Sequence, residues 1–143
     1  MEIIGFNFNK ISIEKFKPIS GELKIDTNIK FDSIKKEKIN LLGKKEDLRF
    51  SFTFTVLYNP DKMAELEFKG DVLILLEDKQ INEILKNWKK KKISDEIRIP
   101  LFNFIFNKCN LKSLQLEPDL NLPFHIPMPK ISSKNSSNSG YVR

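Results

Sequence analysis

Apolar and polar residues alternate along three stretches in the first half of the chain. Every second position from 23 to 31, from 50 to 58 and from 64 to 76 is apolar, apart from Thr27 and Gly70. A period of two residues is typical of strands that bury one face and expose the other. Because half-exposed strands of this kind belong to antiparallel sheets, the pattern predicts long antiparallel strands here.

A further strand is predicted near the start of the chain, where residues 6–8 and 11–13 show two short alternations. The sequence Asn-Pro-Asp at residues 59–61 is typical of turns and predicts a hairpin between two of the strands. Residues 34–47 are basic and irregular, which indicates a loop or a frayed strand extension. Together these segments predict a meander of about four antiparallel strands.

The second half of the chain changes to helical spacing. Apolar side chains recur at intervals of three and four residues at positions 81, 84, 85 and 88. This spacing predicts an amphipathic helix that begins at the capping residue Asp78. The helix is expected to end at the lysines of residues 89–92, whose charges complement the C-terminal end of the helix dipole.

A second predicted helix is apolar around most of its circumference. Residues 94–99 are predicted to connect the two helices, and Pro100 fits the first turn of the second one, which should end at about Leu114. The positions expected to face solvent are Asn103, Asn107 and Asn110. A helix this apolar needs cover on two sides. The sheet can supply one side, and the first helix, another subunit or a bound client must supply the other.

The C-terminal region changes composition twice. Residues 117–129 are rich in proline and carry apolar side chains at the even positions from 120 to 128, which predicts an extended segment with one buried side. Residues 132–143 are rich in Ser and Asn and predict a disordered tail. We therefore expect a single domain over residues 1–131.

Length and composition fit one soluble globular domain. The chain has 143 residues, of which 40% are hydrophobic and 31% are charged. No apolar run approaches the ~20 residues that a membrane helix needs. The N-terminus lacks the basic and apolar regions of a signal peptide. These features predict a cytoplasmic protein without membrane insertion.

Residue types that carry catalysis or bind cofactors are sparse. The five glycines are isolated and form no phosphate-binding loop, and one His with one Cys cannot build a structural zinc site. Cys109 lies within an apolar helical pattern and is interpreted as a core residue, and His125 as a structural or surface residue. The sequence therefore predicts a protein that is not an enzyme and that uses neither a cofactor nor a metal.

Two other functions are compatible with these residues. The formal net charge of +6 fits a basic α+β nucleic-acid-binding protein. Against it, the charge is carried mainly by Lys, whereas nucleic-acid readers favour Arg, and the strand aromatics share one face as core residues do. The excess of apolar surface also fits a structural subunit with one dedicated protein partner.

Three short motifs, in their order and spacing, resemble those of the SecB family of export chaperones. Lys10-Ile-Ser-Ile-Glu14 is similar to the family's first-strand signature. Ile99-Pro-Leu-Phe102 resembles its Phe-Pro opening of the second helix, and Leu120-Asn-Leu-Pro123 resembles its Leu-Pro-Pro exit. The resemblance covers residues 3–129. It implies an α+β fold in which a four-stranded antiparallel sheet is packed by two C-terminal helices in an oligomer.

The resemblance also implies a function and a site. Members of the family are homotetramers, built as dimers of dimers, that hold unfolded polypeptide clients in hydrophobic grooves without ATP. The corresponding client-binding candidates in this chain are Trp88, Ile93, Ile97, Ile99, Phe102 and Phe106.

One departure from the family concerns the motor ATPase SecA, which docks on an acidic sheet face of the export members. In this chain Lys24, Lys30 and Lys69 lie on the predicted solvent-exposed faces of the strands, so SecA docking is not expected. The chain resembles the solitary or toxin–antitoxin-associated SecB-like branch more than the acidic bacterial export branch.

Overall fold

A four-stranded antiparallel sheet forms the framework of the computed structural model, which describes residues 1–37 and 45–127. Its strands are β1 (Glu2–Lys15), β2 (Lys24–Glu37), β3 (Lys45–Asn59) and β4 (Ala64–Glu77). The predicted α+β class and the antiparallel sheet are confirmed. The stretch predicted to be irregular is strand at both of its ends, and its residues 38–44 lie outside the described residues.

The order of the strands corrects the predicted meander. The order is β1-β4-β3-β2, so β2, β3 and β4 form a meander while β1 pairs with the free edge of β4. The predicted hairpin between β3 and β4 is confirmed, with Tyr58 paired to Ala64. Alternation along β1 could not distinguish between the two open edges of that meander, because a period of two specifies a face and not a neighbour.

The core lies on one face of the sheet, as the alternation predicts. Phe50, Phe52 and Phe54 of β3 are at most 1% exposed, and the alternating apolar residues of β4 are buried on the same face. The other face is polar. There Asp71 accepts hydrogen bonds from Asn9, Ser51 and Arg49. Burial opposes ionisation of this carboxyl group, but the three donors together lower the pKa of Asp71 below its ordinary value.

Two helices follow the sheet, α1 (Asp78–Trp88) and α2 (Asp95–Leu116). The predicted first helix is confirmed, although its N-cap is Glu77, which forms a capping box with Gln80. Along α2 every fourth residue from Ile97 to Ser113 is buried against the core. Aromatic side chains on either side of this stripe reach three different strands, with Phe102 on Phe31, Phe104 on Phe6 and Phe106 on Phe54.

The second helix begins at Asp95, five residues before the predicted start. The carbonyl of Ser94 accepts hydrogen bonds from the amides of Ile97 and Arg98, at 3.1 and 2.8 Å. The carboxylates of Asp95 and Glu96 also favour a start here, because they lie at the positive end of the helix dipole. Residues 95–99 therefore belong to α2, and the prediction of a connection over 94–99 was wrong.

After α2 the chain forms a short 3₁₀ turn at Glu117–Leu120, and not the extended segment predicted there. Pro118 fits this turn because the first residues of a helical turn need no amide donor. Leu122 is buried, whereas Phe124 is 43% exposed, so the predicted single buried side is only partly formed. The predicted disordered tail at 132–143 lies outside the described residues.

Candidate functional site

A surface cavity of about 330 Å³ lies where the edge strand β2 meets the end of α1 and the beginning of α2. We call it the edge groove. Its lining residues are Ile29, Lys30, Phe31, Trp88, Lys91, Ile93, Arg98 and Phe102. These residues come from three separate parts of the chain, so the groove exists only in the folded protein.

The walls of the edge groove are apolar and largely aromatic. Ile29 and Phe31 face the helices because β2 alternates, and Phe31 lies against Phe102 of α2 with ring centroids 4.9 Å apart. Phe31 also contacts the fully buried Phe50, at 5.2 Å between centroids, which connects the groove wall to the core. Lys30 has its side chain on the polar face opposite Thr53, so its main chain lines the groove.

Two cations stand beside the aromatic rings of the edge groove. The Nζ atom of Lys91 lies 4.4 Å from the centre of the Trp88 ring. The guanidinium carbon of Arg98 lies 5.8 Å from the centre of the Phe102 ring, and the Nη2 atom of Arg98 is 2.6 Å from Oδ1 of Asp95. This ion pair is exposed to solvent and is therefore weak.

A second cluster of polar groups is buried behind α2. Glu117 is fully buried, and its Oε2 atom accepts a hydrogen bond of 2.9 Å from the Tyr58 hydroxyl group. The Nδ1 atom of His125 lies 2.8 Å from the same oxygen, and its Nε2 atom lies 2.8 Å from Oδ1 of Asn110. Burial and the neighbouring Glu117 carboxylate raise the pKa of Tyr58. The cluster joins the residues after α2 to the sheet.

The single cysteine and the single histidine of the chain both lie in structural settings. Cys109 is fully buried in the core, as predicted, and burial raises the pKa of its thiol to about 12. The His125 ring packs in a structural cluster, where its Nε2 atom pairs with Asn110 and its main-chain amide donates to Glu117. Among residues 1–37 and 45–127, no three potential metal ligands lie together, and no helix is both long and apolar enough to cross a membrane.

No protein-family model matches the sequence, and no curated protein matches it significantly. Among solved structures, the chain is similar to the SecB-like chaperone Rv1957 of Mycobacterium tuberculosis, which was solved in complex with a ChAD peptide from the antitoxin HigA1 (Rv1956). The similarity covers 92% of this chain and 89% of that chain, with 12% sequence identity and a TM-score of 0.52. The chain has the SecB-like fold. At this identity the likeness concerns the fold alone.

Within the SecB-like fold, three of the six predicted client-binding residues line one cavity. Trp88 ends α1, Ile93 lies in the connection and Phe102 belongs to the second turn of α2, and all three line the edge groove. Each is partly buried and packs against the core. The structure thus brings these three side chains together, while their role in client binding stays a prediction.

The other three candidates lie elsewhere. Ile97 is only 7% exposed and belongs to the buried stripe of α2, where it lines a smaller cavity of about 50 Å³ behind Ile93. Phe106 packs on Phe54, with ring centroids 6.0 Å apart, and does not line the edge groove. Ile99 is 48% exposed and is also outside the groove. Ile97 and Ile99 lie in α2 because the helix starts early.

Sequence reasoning missed the contributions of β2 and of the cations Lys91 and Arg98 to the edge groove. Ile29 and Phe31 belong to the apolar face that alternation identifies, but the pattern alone does not show that β2 is an edge strand. Lys91 was identified only as part of a lysine run. Arg98 was placed in a connecting loop, whereas helical spacing from Arg98 to Phe102 puts both residues on one side of α2.

Proposed function

We propose that this protein is a molecular chaperone that holds unfolded polypeptides and prevents their aggregation without ATP. It is not an enzyme, and it acts in the cytoplasm. The observation that carries this proposal is the edge groove, an open site whose walls are apolar and aromatic. The fold supports the proposal because the similar Mycobacterium tuberculosis protein is a SecB-like chaperone solved with a bound peptide.

The physical basis of holding is burial of apolar client side chains in the edge groove. Each Å² of apolar surface removed from water contributes about 25 cal/mol, less the entropy lost when the client becomes ordered. Such binding tolerates many sequences because it depends on area. The outer edge of β2 carries no strand among the described residues, so its main-chain groups are free to pair with an extended client.

Replacing Phe102 by Asp should abolish holding. The substitution places a charged group in the apolar wall of the groove, where its desolvation weakens client binding about tenfold or more. The measurement is light scattering of a chemically unfolded, unrelated protein that is diluted into buffer without nucleotide. The wild-type chain should suppress aggregation at a near-stoichiometric ratio, and Phe102→Asp should not.

A matched control is available on the same helix. Leu111 is 64% exposed and lies outside the edge groove, so Leu111→Asp introduces the same charge without touching the groove walls. Both variants should keep the circular dichroism spectrum and the molar mass of the wild type. Aggregation that proceeds unchanged with the wild-type chain would contradict the chaperone function. Equal loss in both variants would show that the groove is not the binding site.

The second proposed property is assembly into a homo-oligomer, as a dimer of dimers. Ile4 and Ile11 of the edge strand β1 are 45% and 47% exposed, and contact with another copy would cover them. Size-exclusion chromatography with light scattering should give a mass of four chains of 16.7 kDa each. Ile11→Lys should reduce this mass, and a wild-type mass of one chain at micromolar concentration would contradict the proposal.

The buried strand aromatics argue against the nucleic-acid-binding alternative. A nucleic-acid interface that stacks bases on the sheet needs exposed strand aromatics, whereas Phe50, Phe52 and Phe54 are buried.

For a subunit with one dedicated partner, the light-scattering experiment gives the distinguishing result. Such a subunit would leave the aggregation of an unrelated protein unchanged and would copurify with a single protein at fixed stoichiometry.

A further inference from the structure

We propose that the edge groove selects apolar client segments that are flanked by acidic residues. This inference rests on the chaperone function proposed above and adds the class of client that is bound most tightly. It follows from charge complementarity. None of the eight groove-lining residues in the described part of the chain is acidic, whereas Lys91 and Arg98 place cations beside its aromatic walls.

Each of the two cations stands over the ring of an aromatic residue that lines the groove. Lys91 lies over Trp88 and Arg98 over Phe102. A cation over an aromatic ring at an exposed site is weakly held, and a carboxylate is a stronger partner for it. An acidic client residue would draw each cation off its ring, and the neighbouring apolar client residue would then cover the freed ring face.

The backbone conformation of Lys91 suits glycine, so the presence of a lysine at this position supports a function for its side chain. Its φ angle is +56°, in the left-handed region where glycine and asparagine are favoured at the end of a helix. The amides of Lys91 and Lys92 donate to the carbonyls of Trp88 and Asn87, at 2.8 and 3.2 Å, and close the end of α1. Glycine would suit this backbone better than lysine. The lysine side chain, which glycine would lack, contacts the Trp88 ring in the groove.

The charges around the groove leave these cations available to a client. The ion pair between Arg98 and Asp95 is solvent-exposed, so a client carboxylate can replace it at little cost. Lys89, Lys90 and Lys92 are also exposed next to Lys91 and add to the positive potential. The side chain of Lys30 lies on the polar face and takes no part in the selection.

The test uses three labelled peptides with one apolar core, Leu-Phe-Ile-Phe-Leu, flanked on each side by two Glu, two Gln or two Lys residues. Fluorescence anisotropy with the full chain at low ionic strength should give the lowest Kd for the Glu peptide and the highest for the Lys peptide, about tenfold apart. The difference should shrink to less than about twofold at roughly 0.5 M salt, because exposed charges are then screened.

Two substitutions assign the selectivity to the rim of the groove. Lys91→Gly should keep or raise the unfolding temperature, since glycine fits the left-handed backbone, and should lower the Glu-over-Lys ratio to about threefold. Adding Arg98→Gln should bring the ratio close to one. Lys69→Gln removes the same charge from the polar face and should leave the ratio unchanged. Lys91→Gln serves as a second variant that keeps the length of the side chain.

The outcomes separate this inference from the chaperone function. Equal affinity for the Glu and Lys peptides, with aggregation still suppressed, would overturn the selectivity and leave the chaperone function standing. Failure of all three peptides to bind would overturn both. Tight binding of single-stranded poly-uridine RNA that depends on Lys91 to the same extent would also overturn the inference, because the cations would then serve a nucleic acid.

Discussion

Gly70→Ala is expected to destabilise the protein by about 3 kcal/mol. A Cβ atom at this position would lie 2.3 Å from the carbonyl oxygen of Asn7 and 2.8 Å from Cζ of Phe52. The first of these neighbours is main chain of β1, so the clash is relieved only if β1 moves away from β4. Thermal unfolding followed by circular dichroism should show a midpoint lowered by about 10 °C.

Gly5→Ala is the matched control for this substitution. Gly5 lies in β1, and a Cβ atom there would meet Leu73 Cδ1 at 3.3 Å, the end of a side chain that can turn away. We expect a loss of stability below about 1 kcal/mol. If Gly70→Ala proves as stable as Gly5→Ala, β1 does not approach β4 as closely as the structure shows.

Glu117→Gln is expected to destabilise the protein by a similar amount, about 3 kcal/mol, because the Tyr58 hydroxyl group and the His125 amide lose a buried, charged hydrogen-bond acceptor. The glutamine keeps the volume of the side chain but removes the negative charge that lies 2.8 Å from the His125 ring. Both side chains are at most 2% exposed, so water cannot replace the lost partner. The Tyr58 hydroxyl group also loses its charged acceptor, although the Pro123 carbonyl remains within reach at 2.5 Å. Chemical denaturation should measure the decrease in the free energy of unfolding.

A local readout distinguishes this effect from a general weakening of the core. The amide of Leu122 donates to the carbonyl of Glu117 at 2.9 Å, so hydrogen exchange at residues 121–127 should accelerate first in Glu117→Gln. Asp119 is an exposed carboxylate in the same 3₁₀ turn, and Asp119→Asn should leave both stability and exchange unchanged. Equal stability of the two variants would contradict a structural role for the buried carboxylate.

Much of the sheet could be predicted because alternation is a local property. The residues that face the core in β3 and β4 are those of one alternating set, and the turn at 59–61 joins the two strands as its residue types indicate. The start of α2 was a local error. The predicted start was placed at Pro100 because proline is common in the first turn of a helix. Ser94 and the two carboxylates after it supply a better N-terminus.

The buried cluster around Glu117 was less accessible to sequence reasoning. Tyr58 and Glu117 are 59 residues apart, and neither position carries a sign that the other is its partner. The segment after α2 was expected to be extended because of its prolines. The observed 3₁₀ turn instead brings the Glu117 carboxylate within hydrogen-bond distance of the Tyr58 hydroxyl group and lets the His125 ring reach the same carboxylate.

The sequence by itself determined the strand faces, the two helices and the apolar character of α2, because these depend on spacing within one segment. Only the tertiary structure decided that β1 lies beside β4, that β2 is an edge, and that Phe31 meets Trp88 and Phe102 in one groove. A periodic pattern indicates which face of its element a side chain lies on, but not which distant segment that side chain contacts. That choice is made by packing of the whole chain.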